Sequence, residues 1–119
     1  MATLYKTSPF TTDLITNLTR ATDILAAGAT DITGSPGAVH AIHVTNGEGS
    51  IRYINLFDSG TITAGSADII IPLDANADMT IFIDDGIAFG TAISVSASTA
   101  RDNTGNPSDV DANIMSHDI

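Results

Sequence analysis

The sequence predicts an all-β protein: a single antiparallel β-sandwich or jelly-roll-like domain of about seven strands with an extended N-terminal arm. Three observations carry that expectation. The 119 residues include 16 Ile, 4 Val and 16 Thr, whereas Leu, Met, Glu, Lys, Arg and Gln together supply only 14. β-Branched side chains are stiff at their first torsion and suit a pleated surface better than a helix. The acids are 13 Asp against one Glu, and Asp favours turns, where its short carboxylate reaches nearby backbone. Finally, short apolar runs alternate with clusters of Gly, Asn, Asp and Pro at the spacing of a sandwich.

The elements follow in order. Residues 1–19 read as the arm, rich in Thr, broken at Pro9, with room for a turn of helix near Thr12–Leu18 capped by Thr11 or Thr12. Residues 20–119 form the sandwich domain. Its first strand is Ile24–Ile32, interrupted at Gly28 and followed by a turn at Gly34-Ser35-Pro36-Gly37. Val39–Thr45 is the second strand. Asn46-Gly47-Glu48-Gly49 ends it with the best hairpin signal in the chain, because Asn-Gly tolerates positive φ, and Ile51–Asp58 is then its partner. Asp68–Leu73 and Met79–Ile83 are joined by Asp74–Asp78. Asp84-Asp85-Gly86 reads as a turn into a long strand, Ile87–Thr99. A polar loop, Arg101–Asp109, leads to a last strand at Val110–Met115.

Composition also excludes function classes. With 43% hydrophobic and 15% charged residues the chain is a packed globule, long enough to bury a core without a disulfide or metal. It has no Cys, which removes thiolate chemistry. The formal charge of −10 repels phosphate backbones and anionic bilayers, so no nucleic-acid or membrane partner is expected. Residues 1–20 show no apolar leader segment, and the aliphatic run Ile69-Ile70-Ile71 is too short to span a bilayer.

No catalytic constellation stands out, and no enzyme activity or cofactor is expected. His40 and His43 are three apart, which in a regular strand puts them on opposite faces and prevents a shared metal. His117 reads as solvated or at an interface. There is no nucleophile elbow and no phosphate-cradling glycine loop. The acidic segment Asp102–Asp109, with Asp111, reads first as a solvated turn. Asp102, Asp109 and Asp111 are also weak calcium candidates, because hard cations want several oxygens at short range.

Ile51–Phe57 is apolar on both faces: Ile51, Tyr53 and Phe57 on one, Ile54 and Leu56 on the other. A two-sided apolar strand needs a second cover, which is either a loop or arm of the same chain or a neighbouring subunit.

Several strings together resemble small virion proteins of tailed bacteriophages. They are Arg20-x-x-Asp23-Ile24, Gly37–Asn46, Ile51-Arg52-Tyr53-Ile54-Asn55-Leu56-Phe57-Asp58, Ile71-Pro72-Leu73 and Gly86–Val95. The resemblance spans roughly residues 20–115. It implies a structural role, most plausibly a decoration or cement protein on the capsid exterior, assembled in the host cytoplasm. The implied partners are the major capsid protein and further copies of the chain, a trimer first and a dimer next. The contact residues expected are Leu4, Tyr5 and Phe10 of the arm, Tyr53 and Phe57 as aromatic anchors, and Arg52 pairing across a subunit boundary. An alternative is a tail- or fibre-associated receptor- or carbohydrate-binding sandwich. Against it stand only two Tyr, four Phe and no Trp to build sugar platforms. A cupin-like metal enzyme would need more His and Glu ligands than one Glu and three scattered His provide.

Overall fold

The computed structural model describes residues 17–26, 30–62, 66–101 and 105–119. Eight strands are present among them: β1 (Asn17–Ala21), β2 (Thr30–Thr33), β3 (Gly37–Asn46), β4 (Arg52–Phe57), β5 (Ile69–Leu73), β6 (Asp78–Phe89), β7 (Ile93–Ser98) and β8 (Val110–Asp118). They form two four-stranded sheets, ordered β1-β8-β3-β6 and β2-β7-β4-β5, and every pairing is antiparallel. Only β4 and β5 are both consecutive and paired; each of the other connections crosses from one sheet to the other. That order is the jelly roll, an all-β sandwich in which strands alternate between two sheets.

The interior comes from the inward positions of both sheets. Ile42 and Val44 of β3, Ile54 and Leu56 of β4, Val95 of β7 and Ile114 of β8 are fully buried and belong to one cluster. Each such side chain withdrawn from water contributes roughly 1.5–3 kcal/mol. Ile24 joins this cluster from outside any strand, its N–H donating to the Val110 carbonyl at 3.0 Å.

Five sequence expectations change. Thr19 and its neighbour Leu18 are not arm but strand, paired with Ile114 and Met115 of β8; residues 1–16, with Leu4, Tyr5 and Phe10, lie outside the described residues. Of the expected strand Ile24–Ile32, residues 30–32 lie in β2 and residues 24–26 are not strand, while residues 27–29 lie outside the described residues.

The Asn46-Gly47 hairpin is not one. β3 and β4 belong to different sheets, and neither residue takes a positive φ. Asn46 serves as a tie. Its Nδ2 donates to the carbonyls of Ser50 (2.9 Å) and Asp74 (3.0 Å), and its Oδ1 accepts the Glu48 N–H at 3.0 Å. Gly47 is required by close approach, because a Cβ there would collide with the Asp109 carboxylate.

Asp84-Asp85-Gly86 does not turn the chain. β6 runs through it as a bulge: Phe82 faces Ala41 and Ile87 faces Val39, so four residues on β6 oppose His40 alone. Gly86 takes φ +77°, which L side chains rarely adopt, and its position lies against the His40 ring. The long strand Ile87–Thr99 is broken instead at Gly90-Thr91-Ala92. There the Asp58 carboxylate accepts N–H bonds from Thr91 (2.8 Å), Gly90 (3.1 Å) and Ala92 (3.4 Å). Those bonds, Thr91 first and Gly90 next, hold its carboxyl below the ordinary Asp value against an opposing desolvation.

One end of the sandwich is closed by Glu48. Its Oε1 accepts from Arg52 at 2.9 Å, and its Oε2 accepts the N–H groups of Ser108 (3.0 Å) and Asp109 (3.2 Å). The Arg52 bond chiefly, with the two backbone donors, lowers its pKa from 4.5 to about 2 against desolvation. A carboxyl acidified by folding stabilises fully above its unfolded value and loses that contribution as pH falls. Glu48→Gln is therefore expected to cost about 1–3 kcal/mol at pH 7. The variant should also show a shallower loss of stability between pH 4.5 and about 2, read by chemical denaturation across that range. Gly86→Ala is expected to destabilise by at least ~1–2 kcal/mol, the cost of the left-handed backbone, seen as a lower Tm in calorimetry.

Candidate functional site

The outer face of the β1-β8-β3-β6 sheet carries an apolar row. Register places Leu18 opposite Met115, Met115 opposite Ala41, and Ala41 opposite Phe82. One outward position from each of the four strands thus forms a line across the sheet. Ala41 is buried beneath its neighbours, but Leu18 is 58% and Phe82 76% exposed. A large aromatic ring standing in water on a strand is a poor use of apolar surface unless something covers it.

Two polar groupings flank the row. On one side Arg20, Asn113, His43 and Thr80 align in register. His43 Nε2 meets Asp78 Oδ1 at 2.5 Å, and Asn113 Nδ2 lies 3.4 Å from His43 Nδ1. An amide NH2 can only donate, so a neutral His43 ring would accept at Nδ1 and carry its proton on Nε2, facing the carboxylate. On the other side His40 Nε2 and His117 Nδ1 are 2.6 Å apart, with ring centroids 4.6 Å apart and nearly parallel. The pair lines an open cleft of about 320 Å³ with Asp84, Asp85 and Ile119.

The bulge corrects the expectation that His40 and His43 face opposite ways. One extra residue in β3 between Val39 and Ala41, relative to β8, shifts the pleat. His40 then meets His117 and His43 meets Asn113, and these two partners lie four apart on one face of β8. The histidines still do not converge, since each is bonded to different groups. His117, expected to be solvated or at an interface, is half-buried against His40.

The remaining candidates divide. Asp109 and Asp111 come together with Asp23, one carboxylate oxygen of each lying within 4.8 Å of the others; Asp102 lies outside the described residues. Three carboxylates fall short of the six to eight oxygens that calcium takes, and Asp111 Oδ1 is already engaged by the Asp23 N–H at 2.9 Å. This is the one such grouping among the described residues. Arg52, expected to reach another subunit, is paired with Glu48 of its own chain. Phe57 is 2% exposed in the single chain, so its ring is not offered to a partner. Tyr53 is half-buried, with the Arg101 guanidinium 6.0 Å from its ring centroid, a cation–π distance.

The outer face of β4 and β7 is likewise withdrawn from water, with Asn55, Ser94, Ser96 and Ser98 buried. Asn55 Nδ2 donates to Ser96 Oγ at 3.2 Å and Ser98 Oγ at 3.1 Å. On the Phe57 side the two-sided apolar character of Ile51–Phe57 is thus met within one chain at Phe57, while Ile51 stays exposed, and the most exposed strand aromatic, Phe82, lies on the other sheet. Leu18, Phe82 and Met115 were not singled out by sequence. The signal that could have found them is Ile81-Phe82-Ile83, where inward Ile on either side forces Phe outward.

Comparison with protein-family models, curated proteins and solved structures gives no match.

The His43 assignment is checked by long-range proton–nitrogen NMR above pH 8, where the Nε2–H tautomer is expected and the Nδ1–H tautomer contradicts it.

Proposed function

We propose that the chain is a non-enzymatic structural protein of a phage virion, a decoration or cement protein on the capsid exterior. The observation that carries this reading is the apolar row Leu18–Met115–Ala41–Phe82, with Phe82 76% exposed. Such a row is a docking surface in search of a cover. The resemblance of residues 20–115 to tailed-phage virion proteins supplies the setting, and the major capsid protein is the partner it implies. A cement protein works by mass action: binding the assembled shell better than free subunits, it shifts the equilibrium toward the closed lattice. Copies gathered at a lattice axis form a closed ring, a trimer first and a dimer next. No nucleic acid, membrane or cofactor takes part.

Because the row is uncharged, attachment through it should resist moderate salt. Burying a Phe ring is worth roughly 1.5–3 kcal/mol, or about ten- to a hundredfold in affinity. Phe82→Ser is therefore expected to leave Tm within a few degrees, while occupancy on particles depleted of the protein falls by at least tenfold. Gold labelling of intact particles should decorate heads. Label confined to tails, or a Phe82→Ser protein that binds as well as wild type, overturns the reading.

A further inference from the structure

We infer that the side of the sandwich between β5 and β6 is a groove for an extended partner segment whose apolar side chains alternate with Lys or Arg. This rests on the reading above that the protein works by binding other subunits, and it assigns a second contact. β5 ends one sheet and β6 ends the other, and among the described residues β6 pairs only with β3. Its outer backbone edge is thus a ready template for another strand, as in recognition by strand addition. Beside that edge the sandwich gapes. Ile69 and Ile71 of β5 and Ile81, Ile83, Ile87 and Phe89 of β6 line an open cavity of about 180 Å³ with no polar group in its walls. A dry apolar cavity of about 150 Å³ accepts benzene, so this one has room for a branched or aromatic side chain.

Charge selects the occupant. The stretch from Asp68 to Phe89 holds Asp68, Asp74, Asp78, Asp84 and Asp85 and no Lys, Arg or His, and all five carboxylates are exposed. No described Lys or Arg offsets them: Arg20 lies on β1 at the opposite edge of the sheet, Arg52 is tied to Glu48, and Arg101 lies over Tyr53, while Asp78 is bonded to His43. An apolar floor under an acidic rim matches a segment with apolar residues facing in and cations facing out. It disfavours a second copy, since pairing two β6 strands would bring two acidic edges together.

The probe is an acetylated nonapeptide of alternating Lys and Val, titrated against the purified full chain at low and high salt. Controls are the same residues in two blocks, an alternating peptide with a central Pro, and an alternating Glu/Val peptide. The alternating Lys/Val peptide should bind at least tenfold tighter than every control, weaken with salt, and protect amides of β6 from exchange. Asp84→Asn and Asp85→Asn should each weaken it about two- to fivefold, the worth of an exposed ion pair, with Tm unchanged. Equal binding of the block peptide, protection elsewhere, or displacement of bound peptide by a neutral apolar dye alone overturns the groove assignment. So does dimerisation of the free chain through β6. These measurements use no particles. Their failure alongside a Phe82→Ser attachment defect removes only the groove, and their success without head labelling removes only the virion role.

Discussion

Glu48 sits where the chain first passes from the middle of one sheet to the middle of the other. It is the single glutamate among fourteen acids, and its extra methylene lets one carboxylate reach Arg52 on β4 and the backbone before β8 together. Asn46, two residues earlier, ties the same crossover to the segment after β5. In a jelly roll the strands are held by partners distant in sequence, so loops at the ends must fix which strand enters which sheet. These two side chains do that at one end, and Asp58 does it at the other by gathering three N–H groups of the β6–β7 turn. Charge-assisted bonds to backbone donors are among the stronger in proteins, and here they replace the short hairpins that most antiparallel sheets rely on.

That division of labour leaves the faces free for different tasks. The outer face of β4 and β7 is largely closed, with Asn55 donating to Ser96 and Ser98, and Ser94 and Ser98 donating to the carbonyls of Ser59 and Ala100. The outer face of the other sheet is open and apolar along one line, with histidines and carboxylates on either side. The acidity, concentrated in turns and along β6, sets negative charge beside the apolar strips. Net charge of this sign also repels identical copies at long range, so assembly needs a surface that presents either apolar area or cations.

The class of fold was legible because β-branched content and turn residues are local signals. Val39–Thr45, Ile51–Asp58 and Asp68–Leu73 lie close to β3, β4 and β5, whose inward Ile and Leu alternate as the pleat demands. What sequence did not reveal was pairing. Asn46-Gly47 looks like a hairpin because its composition is right, yet its side chains serve a crossover and a close approach to Asp109. Asp84-Asp85-Gly86 looks like a turn because Gly allows positive φ, and it uses that freedom for a bulge. β1 was missed because Asn17–Ala21 is polar and only half-buried, and its place depends on β8 from the far end of the chain. The apolar row escaped for the same reason: its four members come from four strands, and only register brings them together.

That dependence shapes how the molecule is made. β8 lies between β1 and β3, so the first strand has no neighbour until the last has been synthesised. Contacts between such distant segments are slow to form, because the loop between them must close before any pairing rewards it. A nascent chain therefore carries β3 bare on both flanks until β6 is made, and bare on one until β8 follows. The apolar row is split among unpaired segments throughout that interval. The row is completed in one step, when β8 inserts between β1 and β3.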